Sequence, residues 1–129
     1  MTTNVRVGVD VLLRERFHRL AQHPRYRALL FTQDELGQAP AGASPQRVEE
    51  YLAGRFAAKE AVAKVLGTGF LRGIVWHDIE VLRDRLGGPS VTLRKGARRV
   101  AEENRLSDIS VSITHQGPVV VSVAAGLSS

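Results

Sequence analysis

The chain contains no cysteine, which excludes a disulfide framework, a thiolate metal site and a thiol nucleophile together. No stretch approaches the ~20 consecutive apolar residues of a membrane span. The opening M-T-T-N-V-R-V-G-V-D lacks the long apolar core of a signal peptide. Internal repeats and low-complexity tracts are absent too. These absences predict a soluble, cytoplasmic protein that neither crosses nor inserts into a membrane. At 129 residues a single domain over residues 1–129 is expected, and a domain of that size buries roughly two-thirds of its unfolded surface. Acidic residues are locally scarce. The chain carries 18 basic and 13 acidic residues, net +5, and its N-terminal thirty residues set Arg6, Arg14, Arg16, Arg19, Arg25 and Arg27 against only Asp10 and Glu15. Such a basic surface suits an acidic partner: nucleic acid, an anionic membrane, a phosphorylated small molecule or an acidic protein.

Val5, Val7 and Val9 alternate with Asn4, Arg6 and Gly8, the period-two pattern of a half-buried strand that ends on Asp10. Leu12, Leu13, Phe17 and Leu20 recur at helical spacing from Val11 to about Gln22, with arginines on the remaining face. A short helix is expected from Pro24 to Leu30, and the small residues from Gly37 to Ser44 read as a loop. Ser44 then caps the longest helix, with Pro45 at its first position and Glu49 and Glu50 near its positive end. It should run to Leu66 and stop at Gly67. Asp78 to Arg83 and Ser90 to Arg94 read as strands joined by R-L-G-G-P, and Lys95 to Arg105 as a helix. Ile109, Val111 and Ile113 alternate with serine and threonine before Gln116-Gly117-Pro118 turns the chain into a final valine strand. This order gives an α+β domain, a mainly antiparallel sheet packed against a long central helix.

Residues 55 to 69, R-F-A-A-K-E-A-V-A-K-V-L-G-T-G, carry the sharpest signal. At about 100° per residue, Glu60 and Lys64 share one narrow sector of a largely apolar helix, and Arg55 and Lys59 another. Glu60 and Lys64 read either as an exposed i,i+4 ion pair worth ~0.3–0.5 kcal/mol or as half of a metal site. A hard divalent cation takes one or two carboxylates beside phosphates and water, and Asp10 is the candidate second carboxylate, unless it is only a helix cap. Gly67-Thr68-Gly69 follows a helix where a Walker loop would precede one, which leaves a C-cap or a close backbone approach to phosphate. His115 is a turn residue or a phosphate donor. Asp78 and Glu80 read as a solvent-facing strand edge, with a rival metal site as the other possibility. Trp76 and Phe70 read as core or interface aromatics.

Taken together, V-G-V-D, the central helix string, D-I-E-V with G-G-P, and V-S-I-T-H resemble the holo-[acyl-carrier-protein] synthase family of 4'-phosphopantetheinyl transferases over nearly the whole chain. The resemblance implies that fold, and transfer of 4'-phosphopantetheine from coenzyme A to a serine of an apo acyl carrier protein, with release of 3',5'-ADP. Asp10 and Glu60 match the family's magnesium ligands. Lys64 matches a lysine near the pyrophosphate. Gly67, Thr68, Gly69, Pro89 and His115 match positions lining the coenzyme A site, with Arg55 a weaker phosphate candidate. Glu60, a metal-bound water and Lys64 all remain open as the general base. Arg16 matches an arginine facing the acidic carrier, with Arg14 and Arg19 as helpers. The resemblance further implies a homotrimer with sites between subunits, serving fatty acid, polyketide or peptide synthesis.

The chain departs from the family pattern at Leu13, where an acidic residue is common, at Glu15, where a basic one is, and in the loop from Gly37 to Ser44. The first two bear on carrier preference. Two rival readings use the same residues differently: a nucleic-acid-binding module built on the arginine-rich helix, and a magnesium-dependent phosphohydrolase. The first requires basic residues interleaved with exposed aromatics or a reading helix of known type, and residues 11 to 22 show neither clearly.

Overall fold

A computed structural model describes residues 2–70 and 73–129. Strand β1 (Asn4–Leu13) leads into helices α1 (Arg14–Ala21), α2 (Pro24–Leu30) and α3 (Gln33–Gly37), followed by the long α4 (Pro45–Leu66). A 3₁₀ turn at Trp76–Asp78 introduces β2 (Ile79–Arg83) and β3 (Pro89–Leu93), and α5 (Lys95–Glu103) precedes β4 (Leu106–Gln116) and β5 (Val119–Ser128). The strands make two antiparallel sheets: β1-β5-β4, with β5 in the middle, and the hairpin β2-β3. The expected α+β architecture around a central helix is what the chain adopts.

Helix α4 organises the rest. The Ser44 hydroxyl accepts from the Arg47 N–H at 3.2 Å, Pro45 opens the first turn, and Gly67 closes the helix at φ 84°. A left-handed residue there lets its N–H return to the carbonyls of Ala63 and Lys64. Between Leu52 and Leu66 every residue is buried except Glu60 and Lys64. One side of the helix packs Val62, Val65 and Leu66 with Ile79, Val81 and Val100. The other packs Leu52 and Phe56 with Leu12, Phe17 and Phe31. Full burial of side chains of this size stabilises by roughly 1.5–3 kcal/mol each. Strand β1 lies unusually close to α4 at Gly8, where an added Cβ would overlap the Ala61 carbonyl oxygen and come within 2.9 Å of Lys64 Cβ. Glycine is therefore required there, and it brings the inner face of β1 against the Glu60–Lys64 turn.

Several expectations need correction. β1 does not end at Asp10 but continues to Leu13, with Asp10 in register with Ser122 inside the ladder. Asp10 consequently caps nothing, and α1 starts at Arg14 without a side-chain cap. The valine face of β1 is the outer one: Val5, Val7, Val9 and Val11 are 64, 63, 49 and 64% exposed, while Gly8 and Leu12 face the core. A helix, α3, occupies residues just before the expected loop, nucleated by a capping box in which Thr32 and Glu35 exchange hydrogen bonds. Asp78 and Glu80 do not form a solvent-facing edge. Both are buried; Asp78 lies in the 3₁₀ turn and accepts from the Val75 N–H, and Glu80 accepts from Thr32 and Arg94. Their ligand capacity is used internally, which also removes them as a metal pair. α5 stops at Glu103 because Arg105 takes a left-handed φ of 54°.

Candidate active site

Asp10, Glu60 and Lys64 meet in one cleft of about 630 Å³, joined from α1 by Arg16 and Arg19 and walled by Phe56. Asp10 reaches it because even-numbered residues of β1 point at α4. Glu60 and Lys64 reach it because they stand one turn apart on the single unburied stripe of that helix. The Lys64 ammonium donates to the Val9 carbonyl at 2.6 Å and lies 3.4 Å from Asp10 Oδ1. Burial pushes the Glu60 carboxyl above its ordinary pKa, and the nearby Asp10 carboxylate pushes it further, against the pull of Lys64 and Arg16. Two carboxylates therefore share a partly desolvated space in which their own chain supplies only partial compensation. Among the described residues no cluster of three or more metal-ligating side chains exists, so a cation here would draw its remaining oxygens from substrate and water.

A second basic site lies on another face of α4. Arg47, Arg55 and His115 line a pocket of about 270 Å³ together with Glu50 and Tyr51. Arg55 is 8% exposed, its guanidinium stands 4.6 Å from the Tyr51 ring centre, and its Nε has no hydrogen-bond partner. A nearly buried guanidinium with an idle donor suits an anion, since leaving such a group unpaired is costly. Sequence reasoning passed over Arg47, whose signal was its place two residues inside a capped helix start, one face with Arg55. Arg6 shares the inner face of β1 with Asp10, and its Nη2 sits 2.8 Å from where a Cβ at Gly67 would be.

Other predicted positions are scattered. The Gly67 and Gly69 N–H groups bond the Ala63 carbonyl, and Gly67 also bonds Lys64, so the turn is a C-cap with its two glycine donors in use. Thr68 donates to the Gly69 carbonyl at 3.2 Å. Pro89 opens β3 and does not line the Asp10–Glu60 cleft; neither does His115. Arg14 turns away from Arg16 and Arg19 toward Glu50 at 2.9 Å and the Gly117 carbonyl. Trp76 and Phe70 do stack, 3.7 Å between ring centres, as expected of packing aromatics.

Residues 6–124 match the model of the 4'-phosphopantetheinyl transferase superfamily. The holo-[acyl-carrier-protein] synthase of Caldanaerobacter subterraneus subsp. tengcongensis is 38% identical over 119 residues, covering 92% of this chain and 91% of that protein. The synthase of Moorella thermoacetica is 40% identical over 123 residues, covering 95% and 93%. The fold is similar to the crystal structure of holo-[acyl-carrier-protein] synthase from Neisseria meningitidis, with a TM-score of 0.81 at 29% identity over 94% of this chain and 96% of that one. It is equally similar to the holo-(acyl-carrier-protein) synthase of Bacillus anthracis in complex with CoA (3',5'-ADP), with a TM-score of 0.80 at 28% identity over 99% and 100%.

Proposed function

Because the chain belongs to the 4'-phosphopantetheinyl transferase superfamily, we propose that it moves 4'-phosphopantetheine from coenzyme A onto a serine of an apo acyl carrier protein, giving the holo carrier and 3',5'-ADP. The observation that carries this reading is the convergence of Asp10, Glu60 and Lys64 in one cleft beside the basic residues Arg16 and Arg19. In the reaction the serine oxygen bonds to the pantetheine-bearing phosphorus, the bond from that phosphorus to the ADP oxygen breaks, and the serine proton departs. Glu60 borders the cleft in which that proton departs and takes it, directly or through water. Lys64, held by the Val9 carbonyl, offsets the negative charge gathering on the leaving pyrophosphate oxygen.

Magnesium fits the two carboxylates. Asp10 and Glu60 repel one another in a space that partly excludes water, an arrangement that a hard cation relieves, and two protein oxygens beside phosphate and water is its usual environment. When bound it supplies charge neutralisation on the pyrophosphate. Arg16 and Arg19 border the same cleft and would receive the acidic helix of a carrier. Arg14, engaged by Glu50, is left out of that contact.

A site shared between subunits of a homotrimer is supported by two features. The outer face of the three-stranded sheet exposes Val5, Val7, Val9, Val11, Leu13, Val123 and Leu127, more contiguous apolar surface than a monomer of this size ordinarily leaves bare. In addition, the carboxylate cleft and the Arg47–Arg55–His115 pocket occupy different faces of α4, so a coenzyme with both a pyrophosphate and a 3'-phosphate would use one from each of two neighbouring copies. Arg55 and His115, with Arg47, then take the 3'-phosphate, and Pro89 and the Gly67–Gly69 turn border the nucleotide. No helix among the described residues is long and apolar enough to cross a membrane.

Intact-mass measurement of an apo acyl carrier protein incubated with the chain and coenzyme A, with and without magnesium, tests the proposal. A magnesium-dependent gain of one phosphopantetheine is expected. Nucleotide release without carrier modification would replace it with the phosphohydrolase reading.

A further inference from the structure

Lys59 precedes Glu60 in sequence, faces away from the cleft and is fully buried. Its ammonium donates to Glu35 Oε1 at 2.7 Å and to the Trp76 carbonyl at 3.0 Å, and lies 5.6 Å from the centre of the Phe31 ring. Two acceptors and a ring face thus surround the ammonium. Glu35 is as fully engaged: Oε1 also accepts from the Thr32 N–H and Oε2 from the Val81 N–H, both at 2.8 Å. A buried pair of this kind is a poor source of stability, because desolvating two charges offsets most of their attraction and apolar residues of equal volume do as well. What it supplies is direction. The hydrogen bonds of Lys59 and Glu35 close in one arrangement, which fixes α3, β2, α4 and the 3₁₀ turn relative to each other.

The carbonyl that Lys59 holds belongs to the residue at the centre of an aromatic stack. The Trp76 ring lies 4.9 Å from Phe56 and 3.7 Å from Phe70, inclined by 19° and 22°. Phe56 is a wall of the Asp10–Glu60–Lys64 cleft. Phe70 immediately follows the Gly67–Gly69 turn. The same three rings border an apolar trough of about 700 Å³ that shares Leu20, Tyr26 and Phe56 with the cleft.

The geometry points to Lys59 as a positioning residue for the proposed transfer: by tying the Trp76 carbonyl to Glu35, it sets the Phe56–Trp76–Phe70 stack, whose Phe56 ring is a wall of the cleft and whose other two rings border the adjoining trough. This rests on the transferase reading above for its kinetic consequence, though not for its structural one. Trp76 is the only tryptophan, so acrylamide quenching of its emission reads the stack with no substrate present.

The test compares wild type with Lys59→Met, which keeps the side-chain length and loses the donors. In a Lys59→Met chain that remains folded by circular dichroism, the Trp76 quenching constant should rise about twofold, and kcat/KM for coenzyme A should fall about tenfold, with the KM for carrier unchanged, since a displaced wall misplaces the donor substrate. Lys59→Arg, which retains charged donors, should recover at least half of both changes. Folded Lys59→Met with wild-type quenching overturns the inference, as does altered quenching with unaltered kinetics. Should Lys59→Met fail to fold, Trp76→Phe keeps the carbonyl and the ion pair while shrinking the stack; its KM for coenzyme A should rise several-fold, and an unchanged KM overturns the inference. A wild-type chain that transfers nothing overturns the proposed function instead, and the quenching comparison then decides the positioning role alone.

Discussion

Lys59 and Glu60 are neighbours on one helix, yet they live in opposite electrostatic worlds. On the Lys59 side both charged groups are held inside the chain: ammonium by carboxylate and carbonyl, carboxylate also by two backbone N–H groups. On the Glu60 side two carboxylates face one another across a cleft, and the charge on Glu60 is disfavoured by burial and by Asp10. A folded chain tolerates full desolvation where the network closes on itself, and leaves charge incompletely matched where something from outside is to complete it. Burial alone does not separate the two cases, since Arg55 is nearly as buried as Lys59 but has an idle Nε. Satisfaction does.

Removing one member from each side should therefore act in opposite directions on stability. Lys59→Met strands the Glu35 carboxylate in the core and is expected to destabilise by about 3–5 kcal/mol, read by denaturant unfolding. Burial lowers the pKa of Lys59, and the neighbouring Glu35 carboxylate opposes that shift. Glu60→Gln should cut transfer by about 10²–10³-fold while raising the thermal midpoint of the unliganded chain. The sign follows from linkage. A carboxyl whose folded pKa lies above its unfolded value near 4.5 binds more protons folded than unfolded between the two, so stability rises as pH falls through the folded value toward the unfolded one. At neutral pH the charge is a burden, and glutamine removes it. A Glu60→Gln chain that is less stable than wild type at pH 7 would break the contrast.

Much of this contrast was legible in the sequence, and the illegible part has physical causes. The order of elements, the limits of α4 and the Gly67 terminus follow from local signals: a Ser-Pro start, helical spacing and a left-handed stop. Glu60 and Lys64 stood out because they interrupt an otherwise apolar helix. Glu35 was missed although Thr32-x-x-Glu35 is a capping box in plain view, because the box lies among short helices with weak periodicity. Its second role, receiving Lys59, is a contact between α3 and α4 that no local pattern encodes. The outward valines of β1 were unreadable for a related reason. Period two separates the faces of a strand but does not name the inner one, and here Gly8, by admitting α4, decides it. Asp78 and Glu80 look like an exposed edge only until Thr32 and Arg94 come to meet Glu80.

Arg55 sharpens the comparison from the cationic side. If its idle donor awaits a phosphate, Arg55→Met should raise the KM for coenzyme A by about 10–100-fold, the worth of a charged hydrogen bond at about 1.5–3 kcal/mol, and should not lower the thermal midpoint as Lys59→Met does. Titration of 3',5'-ADP by calorimetry separates lost phosphate affinity from a slower chemical step. Equal ADP affinity in the two chains would place Arg55 with the structural cations.

The smallest effect expected is also the one that couples the two partners of the reaction. Arg16 borders the cleft and opposes the rise in the Glu60 pKa, so under the proposed function it would act outward on an acidic carrier as well as inward on the carboxyl. Arg16→Glu should raise the KM for carrier by about tenfold, near 1.4 kcal/mol, through lost attraction and new repulsion at an exposed contact. The KM for coenzyme A should change far less. Reversing the charge also removes a cation that favours ionised Glu60, which shifts the acidic limb of the pH–rate profile to higher pH. A purely carrier-facing arginine moves the first quantity alone, and one that only tunes Glu60 moves the second alone. Both should move, the carrier KM falling back toward wild type in high salt while the pH limb, set inside the partly desolvated cleft, responds less.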